Sequence, residues 1–396
     1  MRSTNKIKIL SVFLLSVCFL FSVRIVVAAE PILLGATIGL TGKYQSMAEM
    51  QQRGFRLWEK HINKAGGILG RPVKILIYDD LSDREKAKEL YEKLITEDKV
   101  DFLFGPYSSS ITLAIMPVVE KYDIPLLATA ATADKIWQQG YRNVFGLYLA
   151  ASRYTIGMLE LSALEGFRKV AIVSADDTFS TTVASGADNW ANKFGMQVVN
   201  YEVFKKGTRD LSPIAEKLAK SSAEVVIVCG HFNESVDMKK ALAEVGYEPG
   251  VYFATVGPAL TKYLDKLGPE LADSTFTSVQ WSADVNYQPG SKAAFYEPFV
   301  NAYKVEPSYH AAIAFAGGDV LATAIERVAT MDKARVREML YSMDILTVVG
   351  RYGVDKTGMQ VKHFPVLMQW QDGVQKVVWP EDLANTTPRF PDKSHR

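Results

Sequence analysis

Residues 31–80 read PILLGATIGLTGKYQSMAEMQQRGFRLWEKHINKAGGILGRPVKILIYDD. Two short apolar runs, Ile32 to Ile38 and Val73 to Tyr78, flank a segment in which Met47, Met50, Gly54, Leu57, Trp58 and Ile62 recur at helical spacing. Strand, helix and strand in that order predict a parallel pair with the helix packed over it. The punctuation between them is polar and small: Leu40-Thr41-Gly42, then Asn63 to Arg71, then Asp79-Asp80. Gly66, Gly67 and Gly70 follow a helix and precede a strand, which reads as a C-cap and tight turn. A dinucleotide loop needs its glycines in the opposite context, after a strand and before a helix.

The alternation continues towards the C-terminus. Ala87, Leu90, Tyr91, Leu94 and Ile95 share a helix face, with Ser82 and Glu85 read as a capping box at its start. Strands follow at Asp101 to Phe104 and Pro125 to Ala128, with a helix between them. The pattern then restarts from about Ser152. Strands are expected at Val170 to Val173, Val198 to Val203, Glu224 to Val228, Tyr252 to Ala254 and Phe276 to Val279, with helices after Ser180, from Ser212-Pro213 and up to Val245. Two alternating runs of similar size predict an α/β chain with two sheets, hence two lobes. Beyond them lie a long apolar helix from His310 to Thr330 and strands at Arg351 to Gly353, His363 to Trp370 and Val374 to Trp379. The last two are joined at Asp372-Gly373 as a hairpin. The tail after Pro380 is polar and reads as a strap or frayed end.

Towards the N-terminus, residues 1–29 carry Arg2, Lys6 and Lys8, an apolar run from Ile9 to Val23, and Val27-Ala28-Ala29 before Glu30. Small residues one and three places before the cut are those signal peptidase accepts, so a cleaved secretory leader is expected. Cys18 follows Val17 and is trailed by apolar residues, which does not fit a lipoprotein signal. Cleavage leaves Cys229 as the only cysteine, so no disulfide within the chain can form. The leader holds four basic and no acidic residues, and its loss takes the formal charge from +1 to about −3. Charges of mixed sign without a basic tract give no sign of a nucleic-acid partner.

Strand Asp101 to Phe104 ends in Gly105-Pro106-Tyr107-Ser108-Ser109-Ser110, ahead of a helix. Hydroxyls and free N–H groups at a helix N-terminus on the edge of a parallel sheet suit a carboxylate. Plain N-capping by one serine also explains them. One strand later, Ala128-Thr129-Ala130-Ala131-Thr132-Ala133 repeats the pattern at the same edge, and the two loops together favour a ligand held near the backbone. Ala175 to Ser180 and Gly230 to Asn233 follow strands of the second run and face the first pair across a cleft. His231 has no nucleophile motif beside it, and the five histidines lack metal-ligand spacing. No enzyme, cofactor or metal is expected.

The order of these segments resembles the type I periplasmic solute-binding proteins, particularly the branched-chain amino-acid branch that serves ABC importers. The likeness spans residues 31 to 380. It implies two Rossmann-like lobes joined by three crossing segments, with lobe 1 formed by 30–149 plus 280–347, lobe 2 by 150–279 plus 348–380, and a tail at 381–396. It also implies a monomer in the periplasm that delivers a small solute to a membrane permease. A sensor on the same fold that hands its ligand to a signalling receptor is the alternative; a hydrolase fits less well. Carried over by position, Ser109, Thr132 and the backbone at Ala130 hold a ligand carboxylate. Met47 stands where an aromatic often walls the side-chain pocket, and Phe179 and His231 stand where the amino-acid binders place tyrosines from the second lobe; an aromatic or aliphatic carboxylate would suit Phe179, Met47 and Tyr107. Gly257 stands where amino-acid binders place the acid that pairs with the ligand ammonium. Either Asp176, Asp177 or Glu234 substitutes, or the ligand lacks an α-amino group.

Overall fold

The computed structural model describes residues 29–391. Apart from Ala29, the expected leader lies outside them. The chain runs β1 (Ile32–Ile38), α1 (Gln45–Lys64), β2 (Val73–Asp79), α2 (Arg84–Thr96), β3 (Phe102–Phe104), α3 (Ser109–Lys121), β4 (Leu126–Ala128) and β5 (Val144–Gly146). These five strands form one parallel sheet in the order β2-β1-β3-β4-β5. Ile32, Leu34, Ala36 and Ile38 on one face of β1 are fully buried, and Gly35 and Thr37 on the other face are buried too, as a strand covered on both faces requires.

The second run gives α4 (Ile156–Leu164), β6 (Lys169–Ala175), α5 (Thr178–Lys193), β7 (Gln197–Phe204), α6 (Ser212–Lys220), β8 (Val225–Cys229), α7 (Phe232–Glu244), β9 (Val251–Ala254), α8 (Lys262–Ala272) and β10 (Thr275–Val279). The chain then returns through α9 (Glu297–Tyr303), α10 (Tyr309–Val328) and α11 (Lys333–Ser342) to a short ribbon, β11 (Ile345–Thr347) and β12 (Gly350–Tyr352). It ends in the hairpin β13 (Val366–Gln371) and β14 (Val374–Trp379). The second sheet has the order β14-β13-β10-β9-β8-β6-β7. It is parallel except for the hairpin, where β13 runs antiparallel to β10. Asp372 and Gly373 both take positive φ, 53° and 75°, which is what a two-residue hairpin turn demands.

Three passages between the sheets follow from this topology: after β5, after β10 and before β13. The first two are tied where Leu149 N–H donates to Gln280 Oε1 at 3.1 Å. Residues 348 to 360, which the sequence reading places with the second lobe, make contacts with the first: Gly146 N–H donates to Gly358 O at 2.8 Å, and Tyr352 OH donates to Leu340 O at 3.0 Å. As far as Pro391 the tail turns at Pro380 to Ala384 and then lies along the second lobe: Gln369 donates to Arg389 O at 2.6 Å, and Phe390 packs on Phe167 and Phe276.

Two helix starts differ from the sequence reading. Asp83 caps α2, accepting from Glu85 N–H and Lys86 N–H, while Ser82 is drawn into the Leu-Thr-Gly loop by donating to Thr41 O and accepting from Tyr44 N–H. Asp177 likewise caps α5 and starts it at Thr178, because its carboxylate reaches Phe179 N–H and Ser180 N–H. Among the described residues no helix is long and apolar enough to cross a membrane.

Helix α10 returns to the first sheet by lying against α1 at very close range. A Cβ on Gly54 would stand 2.2 Å from Ala311 O, and one on Gly318 would stand 2.0 Å from Trp58 Cδ2. Trp58 fills the notch above Gly318 and donates its indole N–H to Asp319 at 3.0 Å. Gly54→Val therefore forces the helices apart. We expect a loss of at least ~2 kcal/mol, the scale of overpacking a tight core, visible as a lowered Tm. An unchanged melting curve would contradict this crossing.

Candidate functional site

Both small loops stand at the C-terminal ends of neighbouring strands. Gly105 N–H donates to Leu127 O at 2.8 Å, and a Cβ on Gly105 would lie 3.1 Å from Ala128 Cα. From α1, the Gln51 amide braces both loops by donating to Gly105 O and Thr129 Oγ1. Ser108, held at φ 91°, caps α3 through Ile111 N–H. Ser109 Oγ accepts from Thr132 N–H at 3.1 Å and Ala133 N–H at 3.0 Å, so it organises the second loop and keeps its own proton to donate. Thr132 Oγ1 and Tyr148 OH are buried with no partner. Such groups cost roughly 1–3 kcal/mol each when left unpaired, which points to a ligand that completes them.

The second lobe contributes a charged cluster and two rings. Asp177 receives Lys206 Nζ at 2.8 Å and lies 3.3 Å from His231 Nε2. Burial alone would raise this carboxyl, but the His231 ring and the Lys206 ammonium outweigh it and hold Asp177 well below the usual carboxylate range. His231 Nδ1 lies 3.1 Å from Tyr107 OH of the first lobe, a buried hydrogen bond across the cleft. Ser110 Oγ donates to Thr178 Oγ1 at 3.3 Å beside it. The cleft is therefore closed.

Between the lobes lies a space of only ≈ 20 Å³. Seven rings around it follow one another from Tyr148 to Tyr309, His310, Tyr107, His231, Phe179 and Tyr154, with successive centroids 5.8, 4.1, 5.6, 5.8, 5.2 and 5.5 Å apart. Neither Asp nor Glu lines the space. Burial, then the neighbouring His231 ring, pushes the His310 imidazole down to about 3.

Of the residues named from the sequence, Ser109, Ala130, Thr132, Tyr107, Phe179 and His231 line this space. Two expected residues do not. Met47 is fully buried in the core; Tyr44, about one turn earlier, packs behind the lining, its ring 5.1 Å from Tyr107 and 5.2 Å from His231. Gly257 is turned against α7, where a Cβ would come 2.6 Å from Ser235 Cβ. Its neighbour Val256 lines the space, at φ 61° and ψ −61°, with Gly257 N–H donating to Thr255 O at 2.7 Å. This is the strained hand of the γ-turn, costly for a β-branched residue and typical of ligand-contacting loops.

None of the three substitute acids reaches the space. Asp176 accepts from Lys206 N–H, Asp177 is saturated, and Glu234 accepts from His231 N–H at 3.0 Å. The sequence reading missed Tyr148, Tyr154, Tyr309 and His310. Tyr148 and Tyr154 lie on the first crossing segment, and the other two open an otherwise apolar helix far along the chain. The only local signal was two ring-bearing polar residues at the start of α10.

Two mixed α/β lobes closing over a small hydroxyl-lined space define a solute-binding protein. Residues 31–375 match the family model described as periplasmic binding protein, and the chain belongs to that family. It is 26% identical to Leu/Ile/Val-binding protein homolog 7 of Brucella suis biovar 1, over 92% of this chain and 95% of that one. Homolog 8 of Brucella abortus is 27% identical, over 90% and 92% respectively. Among solved structures, the branched-chain amino acid transporter substrate-binding protein LivJ from Streptococcus pneumoniae, in complex with isoleucine, superposes with a TM-score of 0.80 at 22% identity, over 89% of this chain and 100% of that one. A solute-binding protein of an ABC transporter from R. palustris, in complex with benzoate, gives 0.76 at 19% identity, over 87% and 94%. The fold is that of the type I periplasmic binding proteins, a family of receptors rather than enzymes.

The buried imidazole makes stability depend on pH with a definite sign. His310 stays neutral in the fold down to about pH 3, whereas the unfolded chain protonates it below its ordinary value of 6.5. Its contribution is thus complete above pH 6.5 and falls by about 1.4 kcal/mol per pH unit below that. His363, pushed to about 4 by burial, acts in the same direction. Asp80 and Asp319, raised by burial to about 6 and about 7, act in the opposite one. The total slope therefore mixes signs, and the difference between wild type and His310→Leu isolates one group. Urea unfolding should show that difference shrinking from pH 7 to pH 4; parallel curves would refute the assignment.

Proposed function

We propose that this chain is exported by its leader and serves as the monomeric receptor of an ABC importer for a small carboxylate that carries no α-amino group. The observation that carries this reading is the lining: unpartnered hydroxyls at Thr132 and Tyr148, a chain of rings, and no acid. A buried ammonium without a counter-charge costs several kcal/mol, and Asp176, Asp177 and Glu234 are all committed elsewhere. A carboxylate loses nothing by that absence. It takes hydrogen bonds from Ser109 Oγ, Thr132 Oγ1 and the helix N-terminus behind them, while the rings enclose its apolar body.

Calorimetric titration of the purified protein tests this. Isocaproate, the leucine skeleton without its amino group, or benzoate should bind at least tenfold more tightly than leucine; equal or tighter leucine binding would refute the reading. The two loop hydroxyls should also separate by role. Thr132→Val removes a buried hydroxyl that no group among the described residues hydrogen-bonds, so affinity falls by roughly 1–3 kcal/mol while Tm holds. Ser109→Ala strands two loop N–H groups, so affinity and Tm fall together. If both variants bind as wild type, the carboxylate is held elsewhere.

A further inference from the structure

A second compartment of ≈ 330 Å³ lies on the hinge side of the cleft. Trp281, Trp370, Met368 and Leu264 form its apolar walls. The first lobe's return segment, Glu306 to Tyr309, closes one side, and second-lobe residues from α8 and the β13–β14 hairpin close the other. One residue is common to this compartment and the solute space: Tyr309. Its ring stands on the solute-space side, stacked on His310 at 4.1 Å and set edge-on to Tyr148 at 5.8 Å.

The volumes make this shared residue matter. The solute space, ≈ 20 Å³, has room for about one water molecule, so a bound solute needs space from elsewhere. We propose that Tyr309 is a movable partition and that the hinge-side compartment receives the distal, neutral part of an elongated monocarboxylate whose head is held at Ser109 and Thr132. The inference rests on the carboxylate reading above and extends it to the length and charge of the solute. Charge is set by the mouth of the compartment. Asp265, Asp284 and Glu306 stand there with no Lys, Arg or His in the lining, so a second anionic end is repelled while an apolar one is accepted.

Calorimetry on the full mature chain with butanoate, hexanoate, octanoate and octanedioate tests it. Each methylene that leaves water is worth about fourfold. Octanoate should exceed butanoate by at least tenfold in affinity, and octanedioate should fall at least tenfold below octanoate. It should also perturb Trp emission in wild type more than in Trp370→Phe. Val374→Trp, at an exposed position on the compartment's rim, and Leu264→Trp on its wall plug the compartment without touching the solute space. Both should weaken octanoate tenfold or more and leave butanoate unchanged. If butanoate binds and length adds nothing, or if the plugs weaken both acids alike, the partition proposal is overturned and the carboxylate reading stands. If no monocarboxylate of any length binds, the carboxylate reading fails and the partition with it.

Discussion

Contact between α1 and α10 is the constraint on which the cleft depends. Gly54 and Gly318 let one helix backbone and the Trp58 ring approach positions that any side chain would block. Through this contact the chain, having built the second sheet, is brought back onto the first. α1 carries Gln51, which braces the Gly105 and Thr129 loops, and Tyr44 precedes it; α10 begins with Tyr309 and His310. A shift between the helices would move the braces and the rings together. Dense interiors transmit such displacements rather than absorb them.

Charge in the cleft is used for support, not for contact. Asp177 is shared among the α5 N-terminus, Lys206 and His231, and Lys206 also lies 5.0 Å from the centre of the Tyr44 ring of the opposite lobe. The cluster fixes the His231 ring and its link to Tyr107 while its carboxylate stays off the lining of the space. What faces that space is hydroxyl and ring. The same economy explains Val256: its strained turn presents an apolar side chain where Gly257 packs on α7.

Much of the architecture was legible in the chain because strand and helix periods are local properties. The positive-φ hairpin at Asp372-Gly373, the parallel core strands and six of the residues around the space follow from short patterns. Helix starts were less so. Ser82 and Asp83 are adjacent and both able to cap, and the choice fell to Asp83 because the Leu-Thr-Gly loop, some forty residues earlier, takes the Ser82 hydroxyl. The third passage between the sheets was likewise displaced, since only the edge of β5 could show that Gly358 pairs with Gly146.

The sequence by itself determined two alternating α/β runs and the strand ends that bear small hydroxyl loops. Each of these is written in neighbouring residues. Only the tertiary structure decided that Met47 lies in the core and Tyr44 behind the lining, that Asp176, Asp177 and Glu234 are all committed elsewhere, and that Tyr148, Tyr154, Tyr309 and His310 complete the ring. The reason is physical: which face of a helix is buried, and which partner satisfies a carboxylate, depend on groups on other elements that packing brings within reach, as Lys206 is brought to Asp176 and Asp177.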